Sequence, residues 1–444
     1  MTEAFAHRIG AFRDVALPKS ILATAGMRFL DYLGVTLAGA RLLGDRGKAL
    51  AEISGPGGSV ALGMDRTCPA LSAALFNGMA AHAAEMDDGH RGGGVHVGGA
   101  VFSALLAAYG REPFASDAFL RGAIAGYEAT VRCALALRPG HRRKGFHATG
   151  TCGTVGAAAA VAVAIGFDAT QLKSALSAAA SAASGFLEMQ EDDSGLKPFN
   201  MGQASMAGLA AADVGRAGLK PPKDAFGGPR GFLALLTDTP HPEALVEDRS
   251  KFAIEETYAK AHCACRHAHA AVDCALAIRG SVGFDPARIC SVEVETYAAA
   301  VNGHDHSSVA GVNSAKMSIP FAVASALATG RTGLDAYSED AVVAAGTVAL
   351  AARVKVRASD EFTAKAPAVR GAAVKVVFDD GREERVRTDQ PKGEPENPLS
   401  DAEQKAKFIS LARFGGLDEV RSNRIVRLLS EDGFDMREVL EAVG

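Results

Sequence analysis

Residues 81–99 read AHAAEMDDGHRGGGVHVGG and place His82, Glu85, Asp87, Asp88, His90, Arg91 and His96 on a glycine-rich connection between two strongly apolar segments. Carboxylates and imidazoles with low-dielectric walls are the raw material of acid–base catalysis, and connections held by rigid elements are where such groups gather. A base needs a partner that tunes and orients it, so an aspartate beside a histidine makes a workable unit. Asp87 and Asp88 are adjacent and point in different directions, so at most one of them faces His96. Gly92, Gly93 and Gly94 let the backbone approach a ligand and offer N–H groups to an anion, but they match no phosphate-loop or dinucleotide pattern. The plainer reading is a helix end with solvated acids, followed by a flexible turn.

Three further constellations stand in apolar surroundings. His147, in RRKGFHATGTCGTVG, lies just before a helical segment. A helix N-terminus attracts anionic groups and favours a neutral imidazole, although a capping or core histidine would look the same. Lys197, in DDSGLKPFNMG, either anchors a carboxylate or is a surface charge. The run from Lys260 through His262, Cys263, Cys265, Arg266, His267 and His269 looks at first like a zinc site. On an extended strand Cys263, Cys265, His267 and His269 would share one face, but zinc ligands usually come as spaced pairs from two segments, and Arg266 opposes a cation. The preferred reading is therefore no metal, with Lys260, Arg266 and the histidines forming a cationic wall for carboxylates. No cofactor pattern is present either. The reactions left are those that begin by removing a proton beside a carboxylate or imine: elimination of water, epimerisation or decarboxylation.

The elements that must position these residues are mostly helical. A chain of 444 residues exceeds what one core normally supports, so two domains are expected. Charged residues are 22% with a net charge of −4, no basic tract and no tryptophan, which argues against a nucleic-acid partner. No signal-peptide pattern and no uninterrupted apolar run of about 20 residues are evident, so neither membrane insertion nor export is expected and a cytoplasmic location is. Seven scattered cysteines make no disulfide framework. Apolar periodicity predicts helices over 18–40, 70–84, 97–110, 117–137, 149–165, 170–183 and 199–217. Alternation then predicts a strand at 289–297 and a hairpin with strands 374–378 and 384–387 around Asp380-Gly381. The expected fold is mainly α: a large all-helical domain formed by both chain ends, residues 1–257 and 398–444, with a smaller α+β domain, 258–397, inserted.

At these positions the chain resembles the MmgE/PrpD family, which includes 2-methylcitrate dehydratase, cis-aconitate decarboxylase and iminodisuccinate epimerase. The likeness runs nearly end to end. The family's His-x-x-Asp/Glu-x-Asp-Asp run and following His-Pro loop are seen as His82, Glu85, Asp87, Asp88 and His96. Its Gly-Phe-His-x-Thr-Gly is matched by Gly145, Phe146, His147, Thr149 and Gly150, and its Lys-Pro-x-His-x-Gly by Lys197, Pro198 and Gly202. Its Cys-Cys-Arg-His-x-His run after a lysine corresponds to Lys260, Cys265, Arg266, His267 and His269, and its Ser-Ile-Pro-Tyr segment to residues 318–321.

The resemblance implies an α+β lid over the helical domain, an active site between the two that closes against water, and a cofactor-free homodimeric lyase or isomerase acting on a small polycarboxylate. It implies general base and acid roles for His96 and His147, with Asp87 orienting or sharing the proton. Lys197, Arg266 and His267 would hold carboxylates, with Lys260 in the same wall and Asp88, His90 and Arg91 at the mouth. Four departures bear on the reaction. Asn200 replaces a histidine, Val-Gly follows His96 in place of proline, His262-Cys263 replaces an aromatic-proline pair, and Phe321 stands where many members have tyrosine. No long insertion is present, which favours an epimerase-like or decarboxylase-like subgroup over the methylcitrate dehydratases. The alternatives are a non-catalytic carboxylate-binding relative, suggested by Asn200 and Phe321, and a zinc-dependent hydrolase, suggested by the Cys/His run.

Overall fold

Small side chains dominate the helices of this protein, and their backbones lie correspondingly close. The computed structural model describes residues 1–191, 193–430 and 433–444. It is 60% helical and 9% strand, a mainly α fold with a smaller α+β portion. The chain divides into two units: Met1–Met189, Leu196–Thr257 and Ser400–Gly444 form the first, and Gln190–Gly195 with Tyr258–Leu399 form the second.

The first unit contains helices α1 (Thr2–Gly10), α2 (Lys19–Ile53), α3 (Ala70–Ala83), α4 (Gly98–Arg111), α5 (Ser116–Leu137), α6 (Ala148–Ile165), α7 (Ala169–Ala182) and α8 (Lys197–Arg216). The C-terminal helices Asp401–Phe414, Glu419–Ser430 and Met436–Val443 belong to it as well. α2 runs past the predicted end at residue 40 and breaks its helical geometry at Gly44, whose φ of +53° suits glycine. α6 is buried along nearly its whole length and packs against α5 and α8. Phe29, Tyr32, Phe102 and Phe119 form an aromatic cluster where α2, α4 and α5 meet. Two helices, α2 and α6, are long and apolar enough to cross a bilayer, which the sequence reading did not anticipate. Their apolar windows are 72% and 89% buried, as expected of core helices.

The second unit is built on a four-stranded sheet of β1 (Ile289–Thr296), β2 (Val354–Ala358), β3 (Ala372–Phe378) and β4 (Glu383–Thr388), in the order β2-β1-β3-β4. β1 pairs parallel with β2 and antiparallel with β3, setting Val294 opposite both Val356 and Val374. Helix α9 (His269–Arg279) packs on β3 and β4, and α10 (Ile319–Thr329) packs on β2. Val292, Val294, Val374 and Val376 supply the buried side of the sheet. The segment Gln190–Gly195 joins this unit through Asp193, whose carboxylate accepts the Ser314 N–H at 2.6 Å.

Candidate active site

Three helix ends of the first unit bring the predicted residues together. His82 lies in the last turn of α3, His147 caps the N-terminus of α6, and Lys197 and Asn200 open α8. α3 and α8 can touch because glycines face each other at the crossing: a Cβ on Gly78 would lie 2.7 Å from the Gly202 Cα. After α3, Glu85 takes a left-handed conformation with φ +54°, costly for a residue with a side chain and found where a site dictates it. Distant segments then tie the loop down, two of them near the histidines. The Lys407 ammonium donates to the Met86 carbonyl at 2.8 Å while pairing with Asp31 at 2.6 Å, and the His96 N–H donates to the Thr149 hydroxyl at 3.2 Å.

Asp87 sits between two imidazoles. One carboxylate oxygen lies 2.8 Å from His82 Nδ1 and 3.0 Å from His96 Nδ1. His96 Nδ1 is also 2.8 Å from the Asp88 carbonyl oxygen, which can only accept. The proton of a neutral His96 therefore sits on Nδ1, and Nε2 carries the lone pair. His96 keeps 16% of its side-chain surface exposed, whereas His82 is fully buried. The two rings are 4.8 Å apart, centre to centre, and the His82 ring is 6.1 Å from that of His147. His82 Nε2 is buried and has no hydrogen-bond partner among the described residues.

His147 has the opposite tautomer. Asn200 Nδ2 donates to the Phe186 carbonyl at 3.0 Å, which fixes the orientation of the amide, and to His147 Nδ1 at 2.9 Å. Nδ1 thus accepts, and a neutral His147 presents Nε2–H. Burial pushes its pKa well below the ordinary 6.5, and the nearby His82, Lys197 and His96 push the same way. Burial also lowers His82, against the raising effect of Asp87. One cluster thus holds an imidazole whose lone pair is on Nε2, an imidazole whose proton is on Nε2, and a carboxylate that orients the first.

The other predicted site residues are placed differently. The Lys197 ammonium forms an ion pair with Glu85, both side chains being mostly buried, so any anion it meets must share it with Glu85. Asp88 turns away from the histidines: it accepts from the Tyr127 hydroxyl and from the Gly98 N–H, and burial raises its pKa. It therefore serves the scaffold and not the expected mouth. His90 does too, since its Nδ1 accepts the Gly93 N–H at 2.8 Å and closes the Gly92–Gly94 turn. Arg91 is half-buried, with its carbonyl taking a hydrogen bond from Arg138.

In the second unit, Arg266 does not stand as an open cation: its guanidinium pairs with buried Glu394 and stacks over Tyr258. Lys260 is fully buried, and the His267 Nδ1 lies 2.6 Å from the Tyr297 hydroxyl. The four-residue face imagined for Cys263, Cys265, His267 and His269 does not form. Residues 266–268 make a 3-10 turn and α9 starts at His269, so the extended geometry is lost.

Sequence reasoning gave no role to His82, Glu85 or Asn200, although the first two stand in the same motif as Asp87. The ligand atoms of His82, Asp87 and His96 lie within 4.8 Å of one another, a grouping that also suits a metal. The Asp88 carbonyl, however, calls for a proton on His96 Nδ1, which fits a hydrogen-bonded unit better than ligation through that nitrogen.

The family model described as the MmgE/PrpD N-terminal domain matches residues 3–245, and that described as the MmgE/PrpD C-terminal domain matches residues 262–432. No curated protein matches the chain.

Proposed function

Because the chain belongs to the MmgE/PrpD family, we propose that it is a lyase or isomerase that removes a proton from carbon next to a carboxylate of a small di- or tricarboxylate. The observation that carries this reading is the pair of opposed tautomers. His96 Nε2 takes the proton, and Asp87 at 3.0 Å stabilises the imidazolium that results. His147, kept neutral by burial, donates Nε2–H to the oxygen on which negative charge develops. A neutral imidazole that donates to an enolate oxygen is a known way of polarising a carbonyl without surrendering a full charge. Lys197 receives a substrate carboxylate, which shares or displaces Glu85.

The test is hydrogen exchange. Incubated in deuterium oxide with a panel of di- and tricarboxylates, the protein is expected to wash deuterium into the α-position of at least one of them, read by NMR. His96→Ala is expected to slow that exchange by about two to four orders of magnitude. Tight binding of a carboxylate with no exchange in any member of the panel would favour the non-catalytic alternative. A loss under tenfold in His96→Ala would remove that residue from the role of base.

A further inference from the structure

A second polar cluster, wholly within the second unit, takes no part in the proton transfer, although the family resemblance assigns one of its members, His267, to carboxylate binding. Cys265, at the end of the loop before the 3-10 turn, and His267, within that turn, come against His304, which lies about 40 residues further along the chain. The three ligand atoms lie within 4.8 Å of one another. We propose that this cluster is a binding site for a thiophilic divalent cation, Zn2+ in the first instance, held by Cys265 Sγ, His304 Nε2 and a ring nitrogen of His267.

The spacing supports tetrahedral coordination. Sulfur at about 2.3 Å and nitrogen at about 2.0–2.1 Å from zinc stand about 3.6 Å apart across a tetrahedral edge. Cys265 Sγ and His304 Nε2 are 3.5 Å apart. The His267 and His304 rings are 4.9 Å apart, centre to centre. The outer shell is also of the right kind. His304 Nδ1 is 2.9 Å from the Asn302 carbonyl, which requires a proton on Nδ1 and leaves Nε2, the nitrogen nearest the sulfur, to ligate. The Tyr297 hydroxyl, 2.6 Å from His267 Nδ1, orients the other ring.

The charge objection raised by Arg266 falls away, because Glu394 neutralises its guanidinium. Sequence spacing missed the site because it weighed Cys263 and His269, which are buried elsewhere, and could not see His304 folding back. On binding, the Cys265 thiol gives up its proton to solvent and sulfur bonds the cation as thiolate, with no change of oxidation state. Three protein ligands leave a fourth position for water or an anion.

The full-length, reduced protein, stripped with a chelator, should be titrated with Co2+ and then with Zn2+. One Co2+ per chain is expected, with a sulfur-to-cobalt charge-transfer band that an equivalent of Zn2+ abolishes. The His82, Asp87 and His96 grouping contains no sulfur, so cobalt bound there would give no such band. Cys265→Ser and His304→Gln should each weaken binding by more than the roughly 10–100-fold that loss of an outer-shell partner costs, while Cys263→Ser leaves it unchanged. If either variant fails to fold, alkylation of the wild-type protein decides: Zn2+ should slow modification of Cys265 and leave exposed Cys290 unaffected. A wild-type titration without the sulfur band, a band retained in folded Cys265→Ser, or equal alkylation with and without Zn2+ would overturn the proposal.

Discussion

The single side chain of Asn200 decides which nitrogen of His147 carries a proton, because the Phe186 carbonyl holds the amide with its N–H groups toward both acceptors. Asn200→Asp is nearly isosteric but replaces a donor with an acceptor, so it should reverse the His147 tautomer and turn Nε2 into a lone pair. Deuterium exchange in that variant is expected to fall by about ten- to a hundredfold, the worth of one buried hydrogen bond at a reacting centre. Asn200→His, which can still donate, should lose less. Equal rates in wild type and Asn200→Asp would end the tautomer assignment. At this scale His96, His147, Asp87 and Lys197 were legible as residue types with the right spacing. Their partners were not. The contact of His82 with Asp87 depends on a left-handed Glu85, and no sequence rule places a glutamate there. Lys197 finds Glu85 across 112 residues, which turned an expected open cation into an ion pair.

Elements position the cluster through two devices that differ in how they would fail. The first is the glycine crossing of α3 and α8. Gly78→Val would bring a side chain against the Gly202 backbone, and overpacking of this kind costs about 1–3 kcal/mol. The second is Lys407, which reaches from the C-terminal helix Asp401–Phe414 to Asp31 and to the Met86 carbonyl in the site loop. Lys407→Met would leave Asp31, 6% exposed, as a buried charge without its salt-bridge partner, at a cost of about 3–5 kcal/mol. Chemical denaturation of both variants checks these figures. A Lys407→Met protein as stable as wild type would mean that the C-terminal helix does not brace the loop. The helices of the first unit were visible in advance because buried apolar faces impose a period on the sequence. The hairpin of β3 and β4 was visible because Asp380-Gly381 fits the turn. β2 was not: VKVRA alternates, but over only five residues at the sheet edge, too short a run to stand out from its surroundings.

For the whole molecule, buried neutral histidines tie stability to pH. His82, His141, His147 and His269 all have pKa values lowered from 6.5, with burial the largest cause in each. Above 6.5 these rings are neutral whether the chain is folded or not, and they cost nothing. As pH falls below that value the unfolded chain takes up protons that the folded chain refuses, so stability declines until the lowered pKa values are reached. The slope is up to about 1.4 kcal/mol per pH unit for each histidine. Asp88, with its pKa raised by burial, works in the opposite direction, as one group against four. Three of the four histidines belong to the first unit and only His269 to the second. Two-unit chains need not unfold in one step, so the units can be followed separately by hydrogen exchange in a denaturant series. From about pH 7 to pH 5 the opening free energy of the first unit should fall, and more steeply than that of the second, with Asp88 offsetting part of the fall. A profile flat with pH in the first unit would mean that its histidines are not held neutral. The N–H assignment at His147, which the proposed chemistry needs, would then fall with it.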